Sequence, residues 1–277
     1  MTDRPIPFVK MTGSGNDFIL IDNRAGVIDP NNAAPWVRAV CRRSLSVGAD
    51  GVILLRDDPT GEADFAWRFF NSDGSEPEMC GNGGRCAARF AADLGLAGRE
   101  LSFRTNAGVI RAWVLDGEVR VQLTEPTDYR AQVRLDLFGD PCEAAYLDTG
   151  VPHVVLEVAD VEQVDVFQVG RLARYDPSFA PRGANVNFVQ VLGPDEVAIR
   201  TYERGVEDET LACGTGCVAA AIALTRARRV KPPVRLRTRG GEVLTVDFDP
   251  AGPVMRPTLQ GPVRYVAQGT IHPEAWK

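Results

Sequence analysis

Histidine is scarce. The 277-residue chain has two, His153 and His272, which excludes a metal centre built on a histidine cluster. Basic charge is in the minority: 31 Lys and Arg against 37 Asp and Glu give a net charge of −6. That is the wrong sign for a dedicated nucleic-acid binder. Long apolar runs are missing. The longest uncharged stretch, residues 210–225, is broken by Gly214 and Gly216 and falls short of the roughly 20 apolar residues of a membrane span. Cysteine is too sparse for a disulfide framework, six in the whole chain. The opening residues, MTDRPIPFVKMTGSGNDF, lack an apolar stretch behind a basic start, so no secretory signal is read. A cytoplasmic protein with reduced thiols is expected, with neither membrane nor nucleic acid as partner.

What is present is ordinary globular composition. Hydrophobic residues at 44% and charged residues at 25% argue against disorder. Gly and Pro are plentiful, 27 and 19, which speaks for turns and against a long-helix bundle. The length suits about two domains. Short strand-like segments dominate: GVILLRD (51–57), DFAWRFFN (64–71), a hairpin-rich stretch over 101–125, and, later, HVVLEV, VNFVQVL and EVAIRTYE. Asp116-Gly117 is a strong hairpin signal. A helix is expected over 29–44, capped by Asp29. Residues 128–141 read as a crossing between halves. Many strands and few helices without regular alternation predict an α+β fold.

An internal similarity organises the chain. Residues 64–92 and 196–224 each read as a strand, a polar loop, Cys-Gly-x-Gly, then a helix of small residues. Asn71 stands nine residues before Cys80, and Arg204 nine before Cys213. A fainter echo pairs MTGSGNDFILID with DTGVPHVVLEV. Two related domains are expected, 1–126 with 266–277 and 127–265. Helices are predicted at about 85–94 and 217–226, after the glycines.

A helix N-terminus offers free backbone N–H groups and a partial positive charge. It lowers a neighbouring thiol's pKa and cradles a carboxylate. Two such turns supply two thiols, one to take the proton α to a bound carboxylate and one to return a proton to the other face. A coupled thiol/thiolate pair inverts a carbon centre with no cofactor and no metal. Other readings stay open. Cys80 and Cys213 could be small buried residues, a redox pair, or, with Cys86 and Cys217, a zinc site. The x5 spacing departs from the zinc knuckle pattern, in which two to four residues separate each pair, and Cys86 and Cys217 fall inside Ala-rich helical stretches. Cys41 and Cys142 read as structural. Asn16 and Asn71 also suit turns, Asn185 an exposed strand, Glu203 and Arg204 a surface ion pair, and His153 a loop.

Four motifs carry a resemblance over nearly the whole chain: MTGSGNDF (11–18), FNSDGSEPEMCGNGGRC (70–86), NVNFVQ (185–190) and YERGVEDETLACGTG (202–216). The sequence resembles the diaminopimelate epimerases, pyridoxal-independent isomerases of bacterial lysine and cell-wall precursor synthesis. The resemblance implies two similar pseudo-symmetric domains, each a curved antiparallel-rich sheet around a central helix, with the site in the cleft between them, and a homodimer. It implies epimerisation of LL- to meso-diaminopimelate. Cys80 and Cys213 match the acid/base thiols, and His153 and Glu203 match groups that assist them. Asn16, Asn71, Gly81, Asn82, Asn185, Glu203, Arg204, Gly214 and Thr215 match substrate-binding positions. Two departures touch substrate recognition: Val151 in GVPH, where many members have Asn, and Gly51 in GADG, where some have Gln.

Overall fold

A computed structural model describes residues 4–252 and 255–277. The chain divides into two compact units, Met1–Val121 with Gly261–Lys277, and Gln122–Gln260. In the first unit, β1 (Ile6–Gly13) and β2 (Asn16–Asp22) form an antiparallel hairpin. Its two turn residues, Ser14 and Gly15, both have positive φ, 55° and 95°, the backbone that a two-residue turn between twisted strands requires. A short helix α1 (Ala34–Val40) follows, then β3 (Gly51–Arg56), β4 (Phe65–Asn71), α2 (Gly81–Asp93), β5 (Glu100–Thr105), β6 (Gly108–Val114) and β7 (Glu118–Gln122). The second unit runs β8 (Thr127–Leu137), β9 (Asp140–Asp148), β10 (Pro152–Glu157), α3 (Val166–Arg174), β11 (Asn185–Val191) and β12 (Glu196–Glu203). It continues with β13 (Asp208–Thr210), α4 (Gly214–Arg226), β14 (Val234–Arg237), β15 (Val243–Asp247) and β16 (Thr258–Pro262). Strand β17 (Arg264–Ile271) returns to pair with β1.

Strand pairing shows the duplication directly. In the first unit β1–β2 is antiparallel, β2–β3 parallel, β3–β4 antiparallel, β4–β5 parallel, and β5–β6 and β6–β7 antiparallel. In the second unit β9–β10, β10–β11, β11–β12, β12–β14, β14–β15 and β15–β16 repeat that series in the same order. The outer strands correspond as well: β17 pairs antiparallel with β1, and β8 with β9. Strand β13 is an addition to the second unit.

Each sheet curves around one helix. Helix α2 packs against β1, β2, β3 and β6, and α4 against β9, β10, β11, β14 and β15. Strands far apart in the sheet order touch the same helix, so small residues must fill it. Ala87, Ala88 and Ala91 in α2, and Ala219, Ala220 and Ala221 in α4, are fully buried. The uncharged 210–225 stretch is therefore a core helix. No helix of the described residues is long and apolar enough to cross a membrane.

Three expectations are corrected. Helices α2 and α4 begin at Gly81 and Gly214, so the glycines form the first helical turn. The segment expected to form one helix over 29–44 breaks into a 3-10 turn, Pro30–Asn32, and α1. Asp29 does cap, but it caps the 3-10 turn, accepting from the Asn31 N–H. Finally, 128–141, expected to cross between the halves, lies within the second unit. It forms most of an exposed hairpin, β8–β9, closed by Phe138 and Gly139 at φ 60° and 86°.

Candidate active site

Cys80 and Cys213 occupy equivalent places. Each is the N-cap of a 13-residue helix and has extended backbone, φ −141° and −119°. The cap places each sulfur beside the free N–H groups of the first turn. The Gly83 N–H points at Cys80 Sγ at 3.4 Å, and Cys213 Sγ lies 3.5 Å from Thr215 Oγ1. The environments differ. Cys80 is half-buried and Cys213 buried. Burial, then the Glu203 carboxylate, push the Cys213 thiol well above its ordinary pKa, although the Thr215 hydroxyl and the Gly216 N–H pull the other way. Helix-end stabilisation thus does not prevail at Cys213, because the partial charge of a helix terminus is weaker than the cost of taking a thiolate out of water.

In the first unit Asn16 and Asn82 belong to one directed chain of hydrogen bonds. Arg85, fully buried in α2, donates to Asn82 Oδ1 at 3.0 Å and to Ser14 Oγ at 2.7 Å. Asn82 Nδ2 donates to Asn16 Oδ1 at 2.7 Å, and Asn16 Nδ2 to Asp50 Oδ2 at 3.0 Å. A guanidinium only donates and a carboxylate only accepts, so the two ends set the orientation of both amides. Asp50 and Asp17 are held by Arg43, and Asp17 also by Lys10. These cations keep the Asp17 carboxyl below its usual range against the opposing effect of burial. Asn71 lies outside this chain. Its side chain donates to Ser75 Oγ at 3.0 Å and its N–H to the Ser75 carbonyl, closing the turn after β4. Gly51 is enforced by packing: a Cβ there would lie 2.5 Å from the Phe70 carbonyl oxygen.

The second unit gathers the remaining candidates. His153 on β10 and Asn185 on β11 are register partners. Asn185 joins the two neighbouring segments, donating to the Pro152 carbonyl at 3.0 Å and accepting from the Arg204 N–H at 2.8 Å. Arg204 is flanked by Arg182 and Arg174, which, after burial, lower its pKa. Glu203 accepts from Thr210 Oγ1 at 2.9 Å. Thr149 Oγ1 donates to the Thr215 carbonyl at 3.3 Å, tying the β9–β10 turn to the start of α4. Val151 lies in that turn, its carbonyl accepting from the Thr149 N–H. His153 has no solvent exposure. Burial, with a contribution from Arg204, pushes its pKa down to about 3, so it is a neutral imidazole at pH 7.

The pattern that defines the family described as "Diaminopimelate epimerase" matches residues 8–128 and 145–264. The chain belongs to the diaminopimelate epimerase family. It is 45% identical over 276 residues to the diaminopimelate epimerase of Aquifex aeolicus, covering 96% of this chain and 98% of that one. Against the diaminopimelate epimerase of Chlorobaculum tepidum the identity is 42%, covering 94% and 99%. Enzymes of this family are isomerases. Among solved structures the fold resembles a phenazine biosynthesis protein of the PhzF family from Bacillus anthracis, with a TM-score of 0.74 at 14% identity over 96% of this chain and 99% of that one. It also resembles a probable proline racemase from Agrobacterium radiobacter K84, with a TM-score of 0.73 at 17% identity over 98% and 95%. At those identities the likeness is one of fold.

Against this epimerase fold the remaining thiols are placed. Cys86 and Cys217 are fully buried within α2 and α4, and burial pushes the Cys86 thiol up to about 12. Cys41, also buried, is pushed up to about 12 for the same reason. None of the six cysteines forms a disulfide among the described residues. Two polar residues escaped the sequence reading. Arg85 follows the first Cys-Gly-x-Gly turn, where a helical arginine is expected at the surface. Asn187, fully buried on β11, stands in NVNF two residues after Asn185. The signal for both was position within a motif, two or three residues from a candidate contact.

Proposed function

We propose that the chain epimerises diaminopimelate between the LL and meso forms with Cys80 and Cys213 as paired acid and base and no cofactor. The observation that supports this most is the equivalence of the two thiols: each caps the central helix of one duplicated unit. Inversion at an α-carbon removes a proton from one face and delivers one to the other. One sulfur takes the α-proton as a thiolate, leaving a carbanion conjugated with the carboxylate. The other sulfur gives up its thiol proton to the opposite face and remains as a thiolate. The roles are exchanged after each turnover.

The environment of Cys213 supports one choice of starting roles. Burial and Glu203 favour protonated Cys213, so Cys213 begins as the acid and half-buried Cys80 as the base. The first-turn N–H groups at Gly81–Asn82 and Gly214–Thr215 suit the reacting carboxylate, whose charge grows in the transition state. Asn16, Asn71, Asn82, Asn185, Glu203 and Arg204 bind the remaining polar groups of a substrate with a carboxylate and an ammonium at each end. Because His153 is neutral, it assists as a hydrogen-bond donor. The enzyme acts as a cytoplasmic homodimer.

The test is turnover of LL-diaminopimelate by freshly reduced protein without pyridoxal phosphate. Cys80→Ala and Cys213→Ala are each expected to lower kcat by at least about 10³-fold. Full turnover in either variant overturns the paired-thiol mechanism. Val151, apolar where an amide is common, favours one second reading: a racemase for another amino acid. Turnover of a panel of single-enantiomer amino acids, with diaminopimelate inert, would establish that instead.

A further inference from the structure

Asn187 uses both of its amide protons, and one of them falls on a ring nitrogen. Its Nδ2 lies 2.9 Å from the Val154 carbonyl and 3.1 Å from His153 Nδ1. Its Oδ1 accepts from Thr201 Oγ1 at 3.0 Å. A backbone carbonyl only accepts, so the atom facing Val154 is the NH2 group, and its second proton points to His153 Nδ1. Nδ1 is therefore the acceptor, and the ring proton resides on Nε2. That nitrogen is buried and has no hydrogen-bond partner among the described residues. An imidazole held neutral by burial thus keeps one N–H with no protein partner among the described residues.

We propose that Asn187 is a positioning residue for the epimerase reaction, fixing His153 as the Nε2–H tautomer so that it offers a hydrogen-bond donor to a carboxylate or thiolate acceptor in the site. The tautomer follows from the hydrogen bonds alone; its catalytic use rests on the proposed epimerase function. The amide is locked by packing as well as by Thr201. A Cβ on Gly216, in the first turn of α4, would lie 2.3 Å from Asn187 Oδ1, so the helix capped by Cys213 closes directly over this amide. Asn187 thereby links the ring of His153 to the turn that carries the second thiol.

The chain's two histidines make the experiment clean. Full-length reduced protein, labelled with 15N-histidine, is compared with its His272→Gln variant to assign the His153 ring. The expected spectrum at pH 7 has a proton on Nε2 and none on Nδ1. Asn187→Asp presents an acceptor to Nδ1, so it is expected to place a proton on that nitrogen, as the other tautomer or as the imidazolium. The same variant is expected to lower kcat for diaminopimelate by about 10²-fold, the usual cost of losing one aimed donor, with KM changed less than about threefold. Thr201→Val keeps the shape and removes only the hydroxyl that orients the amide. It is expected to show exchange between tautomers and a smaller loss of kcat, and it carries the variant arm if Asn187→Asp fails to fold. A wild-type ring protonated on Nδ1, or a His153 spectrum unchanged in the folded variants, overturns the assignment. A shifted tautomer with unchanged kcat overturns the positioning role. A wild-type protein inert on diaminopimelate, with the expected spectrum, overturns the proposed function and leaves the tautomer standing.

Discussion

Gly83 and Gly216 hold the same position in the two duplicated helices, three residues after each capping cysteine, yet alanine should have opposite effects at the two sites. In a helix interior Ala is favoured over Gly by about 1 kcal/mol. At Gly83 the new Cβ meets Ile53 Cδ1 at 3.3 Å and Cys80 Cβ at 3.6 Å. The nearer neighbour is the end of a flexible side chain, so packing costs little and helix propensity decides. Gly83→Ala is expected to be neutral or to stabilise by up to about 1 kcal/mol. At Gly216 the Cβ would lie 2.3 Å from Asn187 Oδ1, an overlap of more than an ångström with a fully buried amide. Relief requires that carbonyl to move off Thr201. Overpacking costs about 1–3 kcal/mol and a broken buried hydrogen bond about 1 kcal/mol more, against the 1 kcal/mol gained from propensity. The net is a destabilisation of about 2 kcal/mol, or about 5 °C in Tm for a chain of this size. Thermal unfolding by circular dichroism and calorimetry on both variants is the assay. A Gly216→Ala protein as stable as wild type would refute the close packing of α4 on Asn187.

Three further outcomes follow from buried polar groups. Because His153 is held at a pKa of about 3 when folded but titrates near 6.5 when unfolded, the unfolded state binds the extra proton below pH 6.5. Stability is therefore full above that value and lost as pH falls toward 3, by about 2 kcal/mol at pH 5 relative to pH 7; urea titrations at both pH values should show the loss, and His153→Gln should remove it. Arg85→Met leaves Asn82 Oδ1 and Ser14 Oγ without their donor, and is expected to cost about 3 kcal/mol and to raise KM, as measured by urea unfolding and steady-state kinetics. Alkylation by iodoacetamide, followed by peptide mapping, should label Cys80 before Cys213, since Cys213 is buried and its thiolate disfavoured; the reverse order would contradict that environment.

Much of the architecture was legible because the duplicated parts carry their own punctuation. Cys-Gly-x-Gly after a strand announced both central helices, although they begin at Gly81 and Gly214, before the positions expected. Misreadings arose where one residue type serves two physical ends. The glycines at 81, 83, 214 and 216 look like turn formers, but in the structure they occupy the first helical turn and let other groups approach. Residues 128–141 read as a crossing between halves because β8 is mostly exposed and therefore lacks an apolar alternation. Its turn holds Phe138 at positive φ, where a non-glycine gives no warning. At the site, the positions of the thiols could be read from spacing, but the Cys213 pKa could not. It depends on burial and on Glu203, which are tertiary facts. Asn187 and Arg85 were invisible for a similar reason: a strand Asn and a helix Arg look like surface residues until their buried partners are known.

The paired-thiol account is tested most directly by proton origin. LL-diaminopimelate is incubated with wild-type enzyme in deuterium oxide and stopped at low conversion, and the α-positions of product and recovered substrate are compared by NMR. Each thiol carries a single proton. The proton taken from one face therefore leaves with the first sulfur, and the product receives deuterium from the second. The account predicts meso product bearing deuterium at the inverted carbon, with recovered LL substrate still protonated. Deuterium entering recovered substrate as fast as product would mean that one group serves both faces, and would contradict the roles given to Cys80 and Cys213.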